Sequence, residues 1–161
     1  HPLDCQSRPD YQRGWYDGRR ACCRPGAAVS GSFDFQRALA KYGADALIRV
    51  DMIRRASILE LVGLIIDASP VDTGLFRGNW QCALNSPKEL SLGTLDKGGN
   101  SAKAEALANL GALVDVFFLT NNLPYAERLE YGYSRQAPEG MVRVNVAKWN
   151  RIVEEKAKGY P

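Results

Sequence analysis

Asp72-Thr73-Gly74 is the tripeptide of this chain with the most direct chemical reading. Asp-Thr-Gly is the active-site sequence of aspartic proteases, where two such aspartates face each other and share one proton, because like charges that close cannot both ionise. That chemistry needs a second copy, and the chain holds only one, so a homodimer would be compulsory. The protease motif also ends a strand in a mostly β fold, whereas here it follows a helix-prone run and a proline. A local reading is mechanically complete. Pro70 ends the helix, since it lacks an N–H and disfavours helical backbone at Ser69. Asp72 is expected to accept backbone N–H bonds from just ahead in an Asx-turn, and Gly74 to take the positive φ that other residues resist. Pro70, Asp72, Thr73 and Gly74 then form a structural turn, and Asp72 performs no reaction.

Other constellations carry less. The single histidine, His1, sits at the terminus, which removes histidine-based triads and most hydrolase metal sites. No glycine loop followed by Lys-Ser/Thr is present to cradle a phosphate. Glu127 and Glu130 lie three apart on one helical face like a carboxylate pair, but Arg128 and Arg135 beside them favour ion pairing. Cys5 and the adjacent Cys22-Cys23 lack the two-to-four-residue spacing of metal ligands. Reduced thiols are expected, with no metal and no cofactor. Neither enzyme nor metalloprotein is the expectation.

The 161 residues suffice for one domain with its own core. Hydrophobic content of 45% and charged content of 24% are ordinary globular values. A net charge of +3 falls well short of the basic stripe of a dedicated nucleic-acid binder. The longest apolar run, "ILELVGLII", contains Glu60 and reaches about half the ~20 residues of a bilayer crossing. The start at His1-Pro2 shows no secretory-signal pattern.

Residues 1–31 read as an arm. Tyr11, Trp15 and Tyr16 interleave there with Arg13, Arg19 and Arg20, a mixture suited to stacking on bases, packing on a neighbouring subunit, or docking on its own domain. Residues 32–161 form a single α+β domain. A long helix starts with Ser32 as N-cap, stops at Pro70, and is divided or bent at Gly43. Its later half carries an apolar face of Ile58, Leu61, Val62, Ile65 and Ile66; its earlier half, with Arg49, Asp51, Arg54 and Arg55, reads as polar and turned to solvent or a partner. "LFRGNWQCAL" suits a strand with Trp80 and Cys82 on one face, and "LSLG" a short strand before a loop at Gly98-Gly99. "AKAEALANLGA" is helix-prone, with Gly111 as its stop. "LVDVFFLTNN" is the clearest strand, rich in β-branched and aromatic residues. "LPYAERLEYG" reads as a helix started by Pro124, capped by Asn122 and left through Gly132. In "EGMVRVNVAKWNRIVEEKAKG" the valines alternate like a strand, yet Val142, Val146, Trp149 and Val153 keep helical spacing, and helix is favoured. The expected fold is that long helix packed on a small, mostly antiparallel sheet, with further helices including a C-terminal one.

Three segments together carry a resemblance: "SPVDTGLFRGNW" closing the long helix, "NNLPYAERLEYGYS" after the clear strand, and "QAPEGMVRVNVAKW" leading into the last helix. In this order, over roughly residues 45–155, the chain resembles the tail-completion or neck proteins of tailed double-stranded-DNA bacteriophages. That family shows a Pro-x-Asp-Thr-Gly turn followed by a basic residue and an aromatic, then Asn-x-x-Pro-Tyr-Ala ending in Glu-aromatic-Gly. The arm and the loop at 86–103 are longer than the family pattern. The resemblance implies a homo-oligomeric ring, hexameric or dodecameric, assembled in the host cytoplasm into the virion neck or tail. Its partners would be the portal-side connector and the tail tube or tail terminator, with genomic DNA passing through the channel unread. A tail terminator, or DNA contact through the arm, is the alternative. Head-to-tail ring contacts need two different surfaces. The candidates are Arg54, Arg55 and Arg77, with Tyr125, Glu127, Arg128, Glu130, Tyr131 and Arg135.

Overall fold

The computed structural model describes residues 30–113 and 115–160. Helix α1 runs from Ser30 to Ala68 without a break at Gly43, and begins before Ser32. The chain divides into two units at Asp45/Ala46, inside α1, and the first is described only over 30–45. The second continues α1 and adds a helical turn α2 (Leu75–Gly78), strand β1 (Trp80–Leu84) and helix α3 (Asn100–Ala108). Strand β2 (Phe117–Asn121) and helices α4 (Ala126–Glu130), α5 (Val142–Val146) and α6 (Trp149–Lys158) complete it. The fold is α+β, as expected.

The sheet is one antiparallel pair, in register from Trp80 opposite Asn121 to Leu84 opposite Phe117. Two strands alone are marginal in water, so the pair needs a covering layer. That cover comes from the apolar face of α1. Val62, Ile65 and Ile66 pack with Phe76, Trp80, Cys82, Ala102, Ala106 and Met141 in one buried cluster. Removing a side chain of Ile or Phe size from water stabilises by roughly 1.5–3 kcal/mol. Trp80 and Cys82 share the inner face as the alternation requires, and Phe76 meets Trp80 edge-on at 6.0 Å between ring centres.

Three sequence expectations fail here. "LFRG" is a helical turn rather than the start of a strand, because Gly78 N–H bonds back to Gly74 O at 2.9 Å. No strand forms at 90–93 either. That stretch is held by amide side chains where a third strand's ladder would be. Leu92 N–H donates to Asn79 Oδ1 at 2.6 Å, and the Asn79 amide returns a bond to Leu92 O. Gln81 reaches Leu90 O at 2.7 Å, and Asn122 reaches Lys88 O at 2.7 Å. Asn79 is thereby buried with both its side-chain polar atoms bonded, and Gln81 is buried with its amide nitrogen bonded. Asn122 is not a helix cap; Tyr125 occupies that position of α4, without a side-chain cap. The 142–158 stretch is helical, in two pieces broken at Ala147–Lys148.

Candidate functional site

The Asp-Thr-Gly turn lies between two helical elements, α1 and α2, and not at the end of a strand. Its conformation is carried by backbone. Gly74 has φ +94°, and a Cβ there would stand 2.7 Å from Lys97 N and 2.9 Å from the carbonyl carbon of Asp96. The expected Asx-turn is absent. Asp72 is exposed and accepts no hydrogen bond among the described residues, and Thr73 Oγ1 instead accepts from Leu75 N–H at 3.3 Å.

Arg77, one turn further, closes the end of α1. Helix α1 has no basic residue in its last turn, so its terminal carbonyls lack a local cation. The Arg77 guanidinium supplies one from across the turn, donating to Asp67 O at 2.7 Å, Ser69 O at 2.9 Å and Lys97 O at 3.0 Å. Ser69, fully buried, donates to Ile65 O at 2.8 Å and accepts from the Trp80 indole N–H at 2.9 Å. The segment "SPVDTGLFRGNW" is thus a corner that fixes helix to strand.

That corner faces α4 and the chain leaving it. Pro70, Asp72, Thr73, Gly74 and Phe76 line one side of a cleft of about 370 Å³; Tyr125, Leu129, Tyr133 and Gln136 line the other. Gln136 bridges the two, accepting from Val71 N–H at 2.8 Å and donating to Val71 O at 3.0 Å. Tyr125 stacks at a tilt on Phe76, 6.1 Å between ring centres.

Glu130 joins the third segment to the other two. Its carboxylate accepts from the backbone N–H groups of Met141, Val142 and Arg143, each at 2.9 Å, and so caps α5. Gly140, at φ +86°, lets the chain pass close against the Glu130 carbonyl. Burial pulls the Glu130 carboxyl upward. The N–H groups of Arg143, Val142 and Met141, joined by the Arg143 side chain, outweigh that and hold it below its ordinary value. Arg143 also lies over the Tyr131 ring at 4.7 Å.

The candidate residues therefore separate into two sets. Arg54, Arg55, Arg77 and Glu130 direct their polar groups inward. Asp51 accepts from Arg55 at 2.6 Å and Arg54 at 2.9 Å, and both arginines continue to the carbonyls after α3, at 2.7 Å for Arg55 to Gly111 O and 3.1 Å for Arg54 to Leu110 O. Hydrogen bonds from Arg55 and then Arg54 hold the Asp51 carboxyl below its ordinary value. Of the polar stretch expected to face solvent or a partner, Arg49 is exposed, while Asp51, Arg54 and Arg55 tie α1 to the loop after α3. Tyr125, Glu127, Arg128, Tyr131 and Arg135 are exposed, and Tyr133 joins them at 79% exposure. Glu127 and Glu130 do not act as a pair, since Glu130 is turned to α5.

Sequence reasoning missed Gln136, Arg143 and Asp96. Asp96 collects Gly98 N–H at 3.0 Å, Gly99 N–H at 2.9 Å and Ser101 N–H at 2.8 Å, with the Ser101 hydroxyl at 2.9 Å. Bonds from Ser101 lead in holding its carboxyl below the ordinary value. An Asp just before Gly-Gly and an Ala-rich helix was the available signal. Gln136 and Arg143 act across distant segments and left no local trace.

Among the described residues no group of His, Cys, Asp and Glu side chains could hold a metal ion, and no helix is long and apolar enough to cross a membrane. Cys5, Cys22, Cys23, His1 and the aromatic arm lie outside the described residues. No protein-family model, curated protein or solved structure matches the chain.

Proposed function

We propose that this chain is a structural subunit that self-associates into a ring in the neck of a tailed bacteriophage particle, joining the head connector to the tail, and that it performs no catalysis. The observation supporting this reading is how three sequence-distant segments interlock. The corner at 69–80 is clamped by Gln136, and the segment at 121–134 caps the one at 136–149 through Glu130. These are the three segments on which the resemblance to neck proteins rests, and their side chains tie them into one block. The block leaves Tyr131 and Tyr133 exposed beside Glu127, Arg128 and Arg135, the mixture of aromatic and charged groups suited to protein contacts. Asp72 lies on an exposed turn between two helical elements, not at the end of a strand in a β framework of the kind that carries the protease aspartate.

Mass measurement of the purified protein, alone and mixed with connector or tail-tube protein, tests the proposal. A multiple of the 17.8 kDa chain in either setting supports it. A persistent monomer in both, or peptide cleavage at low pH abolished by Asp72→Asn, overturns it. Association with tail-tube protein but not connector selects a tail terminator in place of a neck joint.

A further inference from the structure

The two edges of the sheet differ. On β1, Cys82 turns its backbone away from β2. Its N–H donates to Glu105 Oε2 at 3.1 Å and its C=O accepts from the Asn109 amide at 3.4 Å, so α3 closes that side. At the end of the ladder Asn85 N–H donates to Val116 O at 2.7 Å. Backbone groups along an antiparallel strand point by turns toward the partner and away from it. Both observations set the same phase. Thr120 and Phe118 of β2 bond to Gln81 and Ala83, while Phe117, Leu119 and Asn121 present their N–H and C=O groups to the far edge. Among the described residues nothing bonds to those backbone groups, and no third strand pairs with β2. Trp80, Gln81 and Cys82 of β1 are buried, whereas no residue of β2 is. Beside that edge, on the inner face of β2, lies an apolar groove of about 460 Å³. Phe117 and Leu119 form its floor, Ile58 and Leu61 of α1 one wall, and Val146 of α5 with Trp149 of α6 the other.

We propose that β2 accepts an added strand from a protein partner: an extended segment of alternating apolar and polar residues. Its backbone pairs with Phe117, Leu119 and Asn121, and its inward apolar side chains enter the groove. An unpaired strand edge is a template for another chain. Strand addition draws affinity from main-chain hydrogen bonds and specificity from pockets that take alternate side chains. Here the two halves stand side by side. The groove lies within the range of about 300–1,000 Å³ typical of occupied clefts. It takes one or two side chains of an incoming strand, and the period of two sends the others out to solvent. A β2 from a second copy would bring its own α1 and α6 to the place where these walls already stand, so the occupant is a bare extended segment. The inference goes beyond the ring reading and does not depend on it.

The test uses the full chain and two synthetic probes. One is a Lys-flanked peptide in which threonine alternates with valine and leucine; the other is the same peptide methylated on its backbone nitrogens, which leaves it no N–H to donate. Residue-resolved amide exchange by NMR reads the result. Without peptide, the Phe118 and Thr120 amides should exchange slowly and those of Phe117, Leu119 and Asn121 fast. The unmethylated peptide should slow the latter three at least tenfold, and the methylated one should leave them unchanged. Val146→Asp, at a position 48% exposed on the groove wall, should weaken peptide binding at least tenfold while circular dichroism keeps its wild-type form. If that variant does not fold, the pair of peptides decides alone. Amides of Phe117, Leu119 and Asn121 that are already slow without peptide overturn the proposal, because the edge is then held by the chain itself or by a second copy. Unchanged exchange at millimolar peptide overturns it as well. So does equal protection by both peptides, which needs no strand pairing, and so does full binding to a folded Val146→Asp variant.

Discussion

Two aspartates in adjoining loops behave in opposite ways. Asp72 sits in the tripeptide that stands out in the sequence, and its carboxylate holds nothing among the described residues. Asp96 sits in the loop before α3, gathers four donors from Gly98, Gly99 and Ser101, and orders the entry to that helix. The loops touch, Asp96 N–H donating to Gly74 O at 3.2 Å. The difference teaches that a carboxylate's structural weight follows the number of N–H groups converging on it, whereas the Asp-Thr-Gly turn is kept by its glycine.

The strongest way to break that contrast is Gly74→Ala. A side chain at φ +94° combined with contacts of 2.7 and 2.9 Å to the 96–97 backbone is expected to cost about 3 kcal/mol or more, read as a lower denaturant midpoint. A mild effect would mean the two loops part easily. Glu130→Gln comes next, at about 2 kcal/mol, since a carboxylate only 16% exposed loses charge-assisted bonds to three N–H groups of α5. The same variant predicts a pH signature. With a folded pKa depressed below the ordinary 4.5, the Glu130 contribution is complete above that value and lost as pH falls through the lower folded value. Wild-type stability should therefore fall on acidification below about pH 4.5, and the Gln variant should fall less steeply. Asp96→Ala should cost about 1 kcal/mol, as loss of a helix-entry cap does, with faster amide exchange at 98–101. Asp72→Ala should lie within about 0.5 kcal/mol of wild type. If its midpoint fell as far as that of Asp96→Ala, the contrast between the two loops would be gone.

What was legible in the sequence had a period or a stop. The apolar recurrence from Ile58 to Ile66, Pro70 as a terminator, and the β-branched and aromatic run at 117–121 all act within one element, so their meaning survives without the fold. Helical spacing through Val142, Val146 and Trp149 also prevailed over the alternating valines. What stayed hidden depends on residues far apart in sequence. Arg77 caps a helix that ends nine residues before it, and Gln136 clamps Val71 across 65 residues. Asn79, Gln81 and Asn122 hold the stretch read as the short strand "LSLG", so amide side chains stand where a ladder was expected. At the candidate site the sequence singled out the three segments but not the bonds that tie them to one another. Arg54, Arg55, Arg77 and Glu130, candidates for subunit contacts by their charge, make hydrogen bonds within the chain. A charge pattern cannot tell a salt bridge across an interface from one across a fold.

Cys82 has a practical consequence. Its sulfur is closed off beneath α3, and burial, with the negative charge of Glu105, pushes the thiol up to about 12. At neutral pH it is almost entirely protonated and out of reach of alkylating reagents. Modification at this position can proceed only while strand and helix have separated, so its rate in the native protein measures how often the block comes apart. Counting label at Cys82 by mass spectrometry would give every variant discussed above an opening frequency, without added probes or denaturant.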